Sequence, residues 1–133
     1  MAHFVAYHNP NMMGYEYQVP DDGQQYVLTG KPVGSMAGST VWVVTYTGNH
    51  DYSLAGVFTV VHCGDNTEAG FKHRVCGKGH AFRPWRRIGQ LDWFPELMKK
   101  TGNFGLGLQK VTEPSVLLGL IELAAEDRYE VAT

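Results

Sequence analysis

Arginines and aromatic residues are concentrated in one stretch of this 133-residue chain. The segment 82–94, FRPWRRIGQLDWF, contains three arginines and four aromatic rings. Guanidinium groups bind phosphate oxygens through paired hydrogen bonds, and aromatic rings stack on bases or sugars. Basic residues interleaved with aromatic ones are typical of nucleic-acid-binding surfaces. The segment therefore predicts contact with a nucleic acid.

Charge is unevenly distributed along the chain. The net charge is −2, yet residues 72–110 hold nine of the 11 Lys and Arg and only two of the 13 Asp and Glu. A basic segment between acidic ones indicates an anionic partner, or a surface on which folding intermixes the charges. On the first interpretation, phosphate is bound by the basic residues Lys72, Arg74, Lys78, Arg83, Arg86 and Arg87.

Catalytic motifs are not evident in the sequence. No Ser or Cys lies in a G-x-S-x-G elbow, and GLGLQK lacks the third glycine of a dinucleotide-binding loop. An alternative is a small hydrolase or transferase for a nucleotide-like ligand, which would use His8 or His50 with Asp51. We expect a non-enzymatic protein that needs no cofactor.

Four residues of zinc-binding types follow one another in the sequence: Cys63, His73, Cys76 and His80. Their spacing matches no standard zinc finger, so we favour a partly buried cysteine pair with surface histidines and expect no metal.

Two cysteines do not form a disulfide scaffold, which favours a cytoplasmic protein with reduced thiols. The apolar runs are too short to span a membrane, and the first residues do not resemble a secretory signal.

Hydrophobic alternation and β-branched content predict the elements that must position these residues. Two helices are predicted, at 92–102 with Asp92 as its cap and at 113–127 after a Thr112 cap, besides one short helical turn in the loop after Pro10. The second helix is predicted to carry an apolar stripe of Val116, Leu117, Leu120, Ile121, Leu123 and Ala124. GKGH, residues 77–80, predicts a turn. The predicted strands cover residues 3–8, 24–30, 40–47, 52–62, 71–77 and 104–111, with 81–91 extended at best. The strands 40–47 and 52–62 are predicted to form an antiparallel hairpin.

The order of these elements predicts an α+β fold. It would consist of five to six mostly antiparallel strands in a small curled sheet or barrel, with about two to three flanking helices. Gly56 within a strand predicts a bulge or a close backbone approach. The length fits one domain over residues 1–133.

The chain resembles the PUA-like superfamily, particularly its EVE-type, modification-sensing domains. The resemblance lies in FVAYHNPN, GSTVWVVTYTGNHDYSLAGVFTVV and FRPWRRIGQLDWFPELMKKTGNFGLGLQKVTEP. It implies a small barrel that takes a flipped modified base, such as a modified cytosine in DNA, into an aromatic pocket. An RNA-binding module of the PUA or ASCH kind is the alternative. A nuclease or another effector is an implied partner.

The resemblance also implies where the base pocket lies. Trp93 is a further candidate for stacking on the base. Trp42 and Trp93 could instead belong to the core, and Asn9 could simply build a turn. The implied base-pocket residues are Tyr7, His8, Asn9, Trp42, Tyr46, Trp93, Asn103 and Phe104.

Overall fold

The computed structural model describes residues 2–48, 51–65, 70–105 and 107–131. Six strands and three helices occur in this part of the chain. Their order is β1 (His3–His8), α1 (Pro10–Met13), β2 (Gln24–Thr29), β3 (Thr40–Tyr46), β4 (Tyr52–Asp65), β5 (His73–Arg87), α2 (Phe94–Lys100), β6 (Gln109–Val111) and α3 (Pro114–Glu126).

The strands form one six-stranded sheet in the order β2-β5-β4-β3-β1-β6. Four of the five neighbouring pairs are antiparallel, including the predicted hairpin of β3 and β4, whereas β1 and β3 are parallel. The sheet curls but does not close, so β2 and β6 remain as its edges. The predicted α+β class with a curled, mostly antiparallel sheet is confirmed.

β5 is a single strand of 15 residues, so the predicted turn at 77–80 is wrong. A Cβ atom on Gly77 would lie 1.9 Å from the carbonyl oxygen of Thr59, and one on Gly79 would lie 1.9 Å from that of Val57. No side chain fits at these distances, so both positions require glycine. The two glycines let β5 approach β4 closely, and this helps the sheet to curl.

The two longer helices lie where the hydrophobic pattern predicts them, but their caps differ. Trp93 is the N-cap of α2 and Glu113 is the N-cap of α3, and neither makes a side-chain capping hydrogen bond. The predicted caps Asp92 and Thr112 are therefore wrong. No described helix is long and apolar enough to cross a membrane. The predicted apolar stripe of α3 is confirmed by the buried residues Val116, Leu120, Leu123 and Ala124.

Each face of the sheet has its own hydrophobic core. The first core lies between the sheet and the helices α2 and α3, and it includes Trp42, Phe82 and Leu120. The second core lies on the opposite face, around Phe58 and Val75, where loop residues cover the sheet. Every residue of β3 from 40 to 45 is buried, as its uninterrupted apolar sequence predicts.

Candidate nucleic-acid interface

A cavity of about 1080 Å³ opens between β2, at one edge of the sheet, and the end of β1. This is the gap that the curled sheet leaves open. All residues of β2 line it, together with residues 6–9 and parts of the loops at 12–20 and 104–108. A concave space of this kind, bounded by fixed strands, is where proteins commonly bind small ligands.

Aromatic rings form one wall of the cavity. The His8 ring lies 5.3 Å from that of Tyr15 and 5.5 Å from that of Tyr17, measured between centroids. His8 Nε2 donates a hydrogen bond of 2.7 Å to the Tyr15 carbonyl oxygen. The hydroxyls of Tyr15 and Tyr26 are 3.1 Å apart and form a hydrogen bond. Tyr15 thus connects β1 to β2 across the gap.

A buried amide fixes β2 to the rest of the sheet. Gln25 Oε1 accepts a hydrogen bond of 2.9 Å from the Tyr17 hydroxyl, and burial raises the pKa of Tyr17. Gln25 Nε2 donates to the carbonyl oxygens of Val57 at 3.0 Å and His80 at 3.2 Å. A Cβ atom on Gly56 would lie 2.3 Å from Gln25 Oε1, and the strand register shifts at this point. The bulge predicted at Gly56 is therefore confirmed, and the group that approaches this glycine most closely is the Gln25 side chain.

Basic groups also line the cavity. The guanidinium carbon of Arg74 lies 4.2 Å from the centroid of the Tyr26 ring, a cation–π contact. Lys31 also lines the cavity, and Glu16 contributes an acidic side chain. Burial raises the pKa of the Cys76 thiol, which favours a neutral thiol rather than a reactive thiolate.

Four of the implied base-pocket residues line the cavity: Tyr7, His8, Asn9 and Phe104. The Asn9 side chain also caps α1, since its Oδ1 accepts hydrogen bonds of 3.0 and 3.4 Å from the next helix amides. Asn103 is exposed and Tyr46 packs on Tyr52, with ring centroids 5.1 Å apart; neither lines the cavity.

Trp42 and Trp93 belong to the first core instead of the cavity. Trp42 is fully buried, and its indole N–H donates a hydrogen bond of 3.1 Å to His3 Nδ1. Burial lowers the pKa of His3, so the ring stays neutral and can accept this bond. Trp93 packs on α3, where a Cβ atom on Gly119 would lie 2.1 Å from the indole nitrogen. Their apolar surroundings explain why neither ring is available to a base in the cavity.

The loop that carries Phe104 has an unusual backbone. Gly102, Asn103 and Phe104 have φ angles of 58°, 57° and 63°, all in the left-handed region. Such angles are unfavourable for residues other than glycine, and they cluster at sites where a side chain must be held in one place. The Phe104 ring stacks on the Tyr7 ring at 4.8 Å.

The three arginines of the segment 82–94 contact carboxylates instead of lining the cavity. Arg83 donates to the Val19 carbonyl oxygen and lies 3.5 Å from Asp21. Arg86 pairs with Glu126 and, at 3.2 Å, with Asp127. Arg87 pairs with Asp51 at 3.0 Å. Folding thus intermixes the charges, which was the alternative interpretation of their uneven distribution.

The remaining predicted phosphate-binding residues divide between the cavity and the surface. Lys72 and Lys78 are exposed and do not line the cavity. Arg74 does line it, and is the one member of the predicted set of six that does so.

The residues considered for metal binding and catalysis are dispersed. Within the described ranges, no three His, Cys, Asp or Glu side chains are grouped closely enough to hold a metal ion. His80 Nε2 instead lies 3.0 Å from Asp127. His8 faces the Tyr15 carbonyl and Asp51 binds Arg87, so each member of that proposed catalytic pair has another partner. His50 lies outside the described residues.

Sequence reasoning missed several cavity residues. All of them lie between residues 15 and 31, in a loop and strand whose contact with β1 depends on the curl of the sheet. The tyrosines of YEY, residues 15–17, gave one usable signal, because polar loops seldom carry two aromatic residues without a packing or binding role. The missed residues are Tyr15, Tyr17, Gln25, Tyr26 and Lys31.

Comparison with known proteins identifies the fold. No protein-family model matches the chain, and no curated protein matches its sequence. The structure is similar to the crystal structure of the human THYN1 protein in complex with 5-methylcytosine-containing DNA. The TM-score is 0.51 at 10% sequence identity, over 90% of this chain and 97% of that chain. This likeness shows a shared α+β fold with a curled, mostly antiparallel sheet. At this level of identity the similarity concerns the fold alone.

Proposed function

We propose that this protein is a non-catalytic nucleic-acid-binding domain whose cavity takes up one unstacked base, with 5-methylcytosine in DNA as the preferred ligand. The observation that carries the proposal is the aromatic cavity itself, in which Arg74 stacks on Tyr26 at the gap of a PUA-like sheet. The similar human protein is in complex with DNA that contains 5-methylcytosine. An effector such as a nuclease would act on what this domain binds.

The size of the cavity suits a nucleotide. Small-molecule sites commonly enclose about 300–1,000 Å³, and this one has about 1080 Å³. A base would occupy only part of that space and leave room for its sugar and for an adjoining phosphate near Arg74 or Lys31.

The energetics favour bases that are already unpaired. Extruding a base from a duplex costs a few kcal/mol, whereas stacking on an aromatic side chain contributes roughly 1–3 kcal/mol per base. The rings of His8, Tyr15 and Tyr26 supply such stacking surfaces. The balance is close to zero for a well-paired base and favourable for one in a single strand or a mismatch, so we expect these to bind more tightly.

Apolar residues of the cavity provide a reason to prefer a methylated base. Ala6, Val27 and Leu108 are buried and line the cavity beside its polar groups. A methyl group moved from water into such surroundings contributes about 0.8 kcal/mol. We therefore expect a preference of about fourfold for 5-methylcytosine over cytosine.

The charges of the cavity predict a shallow salt dependence. Arg74 and Lys31 are its basic residues, whereas the three arginines of the segment 82–94 are ion-paired. Each neutralised phosphate contributes about −0.9 to the slope of log K against log salt concentration on B-DNA, so two contacts give a slope of about −2.

Binding of labelled oligonucleotides across a salt series tests the proposal. Single strands and duplexes would each carry one cytosine or one 5-methylcytosine, and RNA of the same sequence would be measured beside them. We expect the methylated single strand to bind most tightly. No binding to any oligonucleotide at low salt would overturn the proposal. Equal affinity for cytosine and 5-methylcytosine would show that the domain does not recognise the methyl group. Tighter binding of the RNA would favour the RNA-binding alternative.

Variants of β5 connect the binding to the cavity. Arg74→Ala should lower affinity and reduce the salt slope by about one, while Arg74→Lys should keep the slope and lose the stacking contribution. Lys78→Ala is the matched control, because Lys78 is a cation on the same strand outside the cavity. It should leave both quantities unchanged.

A further inference from the structure

Three tyrosines lie side by side across one end of the sheet, and we call them the tyrosine row: Tyr7 on β1, Tyr46 on β3 and Tyr52 on β4. Tyr46 and Tyr52 are cross-strand partners with ring centroids 5.1 Å apart, and the rings of Tyr52 and Tyr7 are 6.0 Å apart. All three side chains are partly exposed. The row is therefore a partly exposed surface of aromatic rings.

Two buried phenylalanines hold the row in place. The Tyr52 ring lies 5.4 Å from that of Phe94 and 5.3 Å from that of Phe104. Phe104 also stacks on Tyr7 at 4.8 Å. Because these rings are already packed, a ligand that binds the hydroxyls immobilises little additional side-chain freedom.

The hydroxyls are suited to an anionic partner. Burial, followed by the proximity of Tyr52 and Tyr46, raises the pKa of Tyr7 to about 12. This hydroxyl is consequently a neutral donor at physiological pH. Neighbouring phenol donors complement the oxygens of a phosphate, which only accept hydrogen bonds.

The row is continuous with the cavity. Tyr7 and Phe104 line the cavity and also belong to this aromatic cluster. At the other side, the Ile88 amide donates a hydrogen bond of 2.9 Å to the Tyr52 carbonyl oxygen, next to Arg87, whose side chain is 70% exposed. A polynucleotide that leaves the cavity at Tyr7 would pass directly over the tyrosine row.

We infer that the tyrosine row binds the phosphate of the nucleotide next to the base held in the cavity, through its phenol hydroxyls. The inference rests on the proposed function, because a strand must place its base in the cavity for the neighbouring phosphate to reach the row. The contact involves neutral donors and no base edge. It should therefore strengthen binding without changing base preference or salt dependence.

A double variant, Tyr46→Phe with Tyr52→Phe, removes two hydroxyls and keeps the rings. Neither residue lines the cavity. We expect the affinity for methylated and unmethylated oligonucleotides to fall equally, by roughly tenfold, since hydrogen bonds to charged groups are among the stronger ones. The salt slope should stay the same, because neutral donors release no counterions. Tyr129→Phe, a partly buried tyrosine that stacks on His80 elsewhere, is the control and should bind as the unaltered protein does.

A modified ligand locates the contact. Replacing the phosphate next to the 5-methylcytosine by a methylphosphonate should weaken binding of the unaltered protein and abolish its advantage over the double variant. If the double variant keeps full affinity, the row inference is overturned while the cavity proposal stands. If the double variant loses affinity but the unaltered protein shows no preference for 5-methylcytosine, the inference about the tyrosine row is supported and recognition of a modified base is excluded. Failure of every oligonucleotide to bind overturns both.

Discussion

The two faces of the sheet are covered in different ways. On one face, helices α2 and α3 pack on Trp42, Phe82 and Leu54, and all three side chains are fully buried. On the other face, loop residues such as Tyr17 and Met36 complete the core, and the cavity lies beside them. The first face is closed and the second is open.

This difference shows that residue type alone does not identify a binding residue. Helices present regular ridges of side chains that fill the space above a sheet. Loops follow no such repeat, and here they leave a gap between β1 and β2. Trp42 and Tyr26 are both strand aromatics, but only Tyr26 lines the cavity.

The largest loss of stability is expected from a substitution on the closed face. Trp42→Ala should lower the free energy of unfolding by about 3–5 kcal/mol, because it leaves a large void and removes the hydrogen-bond partner of His3. Denaturant unfolding measures this loss. Trp42→Phe should retain most of the packing and cost less. A change below about 1 kcal/mol for the alanine variant would contradict the closed character of this face.

A smaller loss of stability is expected where β5 approaches β4 closely and the sheet curls. Gly77→Ala places a Cβ atom against the Thr59 carbonyl oxygen and should cost roughly 1–3 kcal/mol through displacement of β5 from β4. Gly34→Ala is the matched control, since no atom lies within 4 Å of its added Cβ. Thermal unfolding compares the two. Equal melting temperatures would show that the close strand approach is dispensable.

At the cavity wall formed by β2, a substitution of Tyr26 should weaken binding and leave stability largely unchanged. Tyr26→Ala should reduce oligonucleotide affinity by about 1–3 kcal/mol through lost stacking. Its free energy of unfolding should change by less than about 1 kcal/mol, because Tyr26 is only partly buried. Tyr26→Phe keeps the ring and loses only the hydrogen bond to Tyr15. If the alanine variant unfolds easily but binds normally, Tyr26 contributes to packing and not to binding.

The smallest effect is a pH dependence on the closed face. The pKa of His3 is lowered by burial, so its contribution to stability is complete above the ordinary histidine pKa and is lost as the pH falls through the lowered value. His3→Gln keeps an acceptor for the Trp42 indole but does not titrate. The melting temperature of the unaltered protein should therefore fall more than that of the variant between neutral and mildly acidic pH. Parallel curves would show that His3 contributes nothing to acid sensitivity.

The sequence predicts most of the fold because local patterns determine it. β1 has the predicted bounds, β3 and β4 form the predicted hairpin, and α3 buries its predicted stripe. The length of β5 was missed, since Gly77 and Gly79 resemble a turn when only neighbours in sequence are considered. Their role depends on a carbonyl of another strand, which no local pattern contains.

The candidate site was predicted only in part, for the same reason. Tyr7, His8, Asn9 and Phe104 of the implied pocket line the cavity, and their contact with a base stays a prediction. The opposite wall comes from β2 and the loop before it, and their approach to β1 follows from the curl of the whole sheet. The sequence left open whether Trp42 lies in the pocket or in the core, because strand alternation separates two faces without indicating which one is closed. The structure places it in the core.

The pairing of Arg83, Arg86 and Arg87 with carboxylates has a kinetic consequence. Without a broad positive field, a nucleic-acid ligand would be met at the rate of an unsteered encounter, about 10⁵–10⁶ M⁻¹s⁻¹. Sliding along DNA also depends on non-specific attraction to phosphates. A domain with these three arginines neutralised would, if it binds nucleic acid as proposed, sample sites by repeated dissociation and rebinding through solution. The proposed base in the cavity would then determine its residence time.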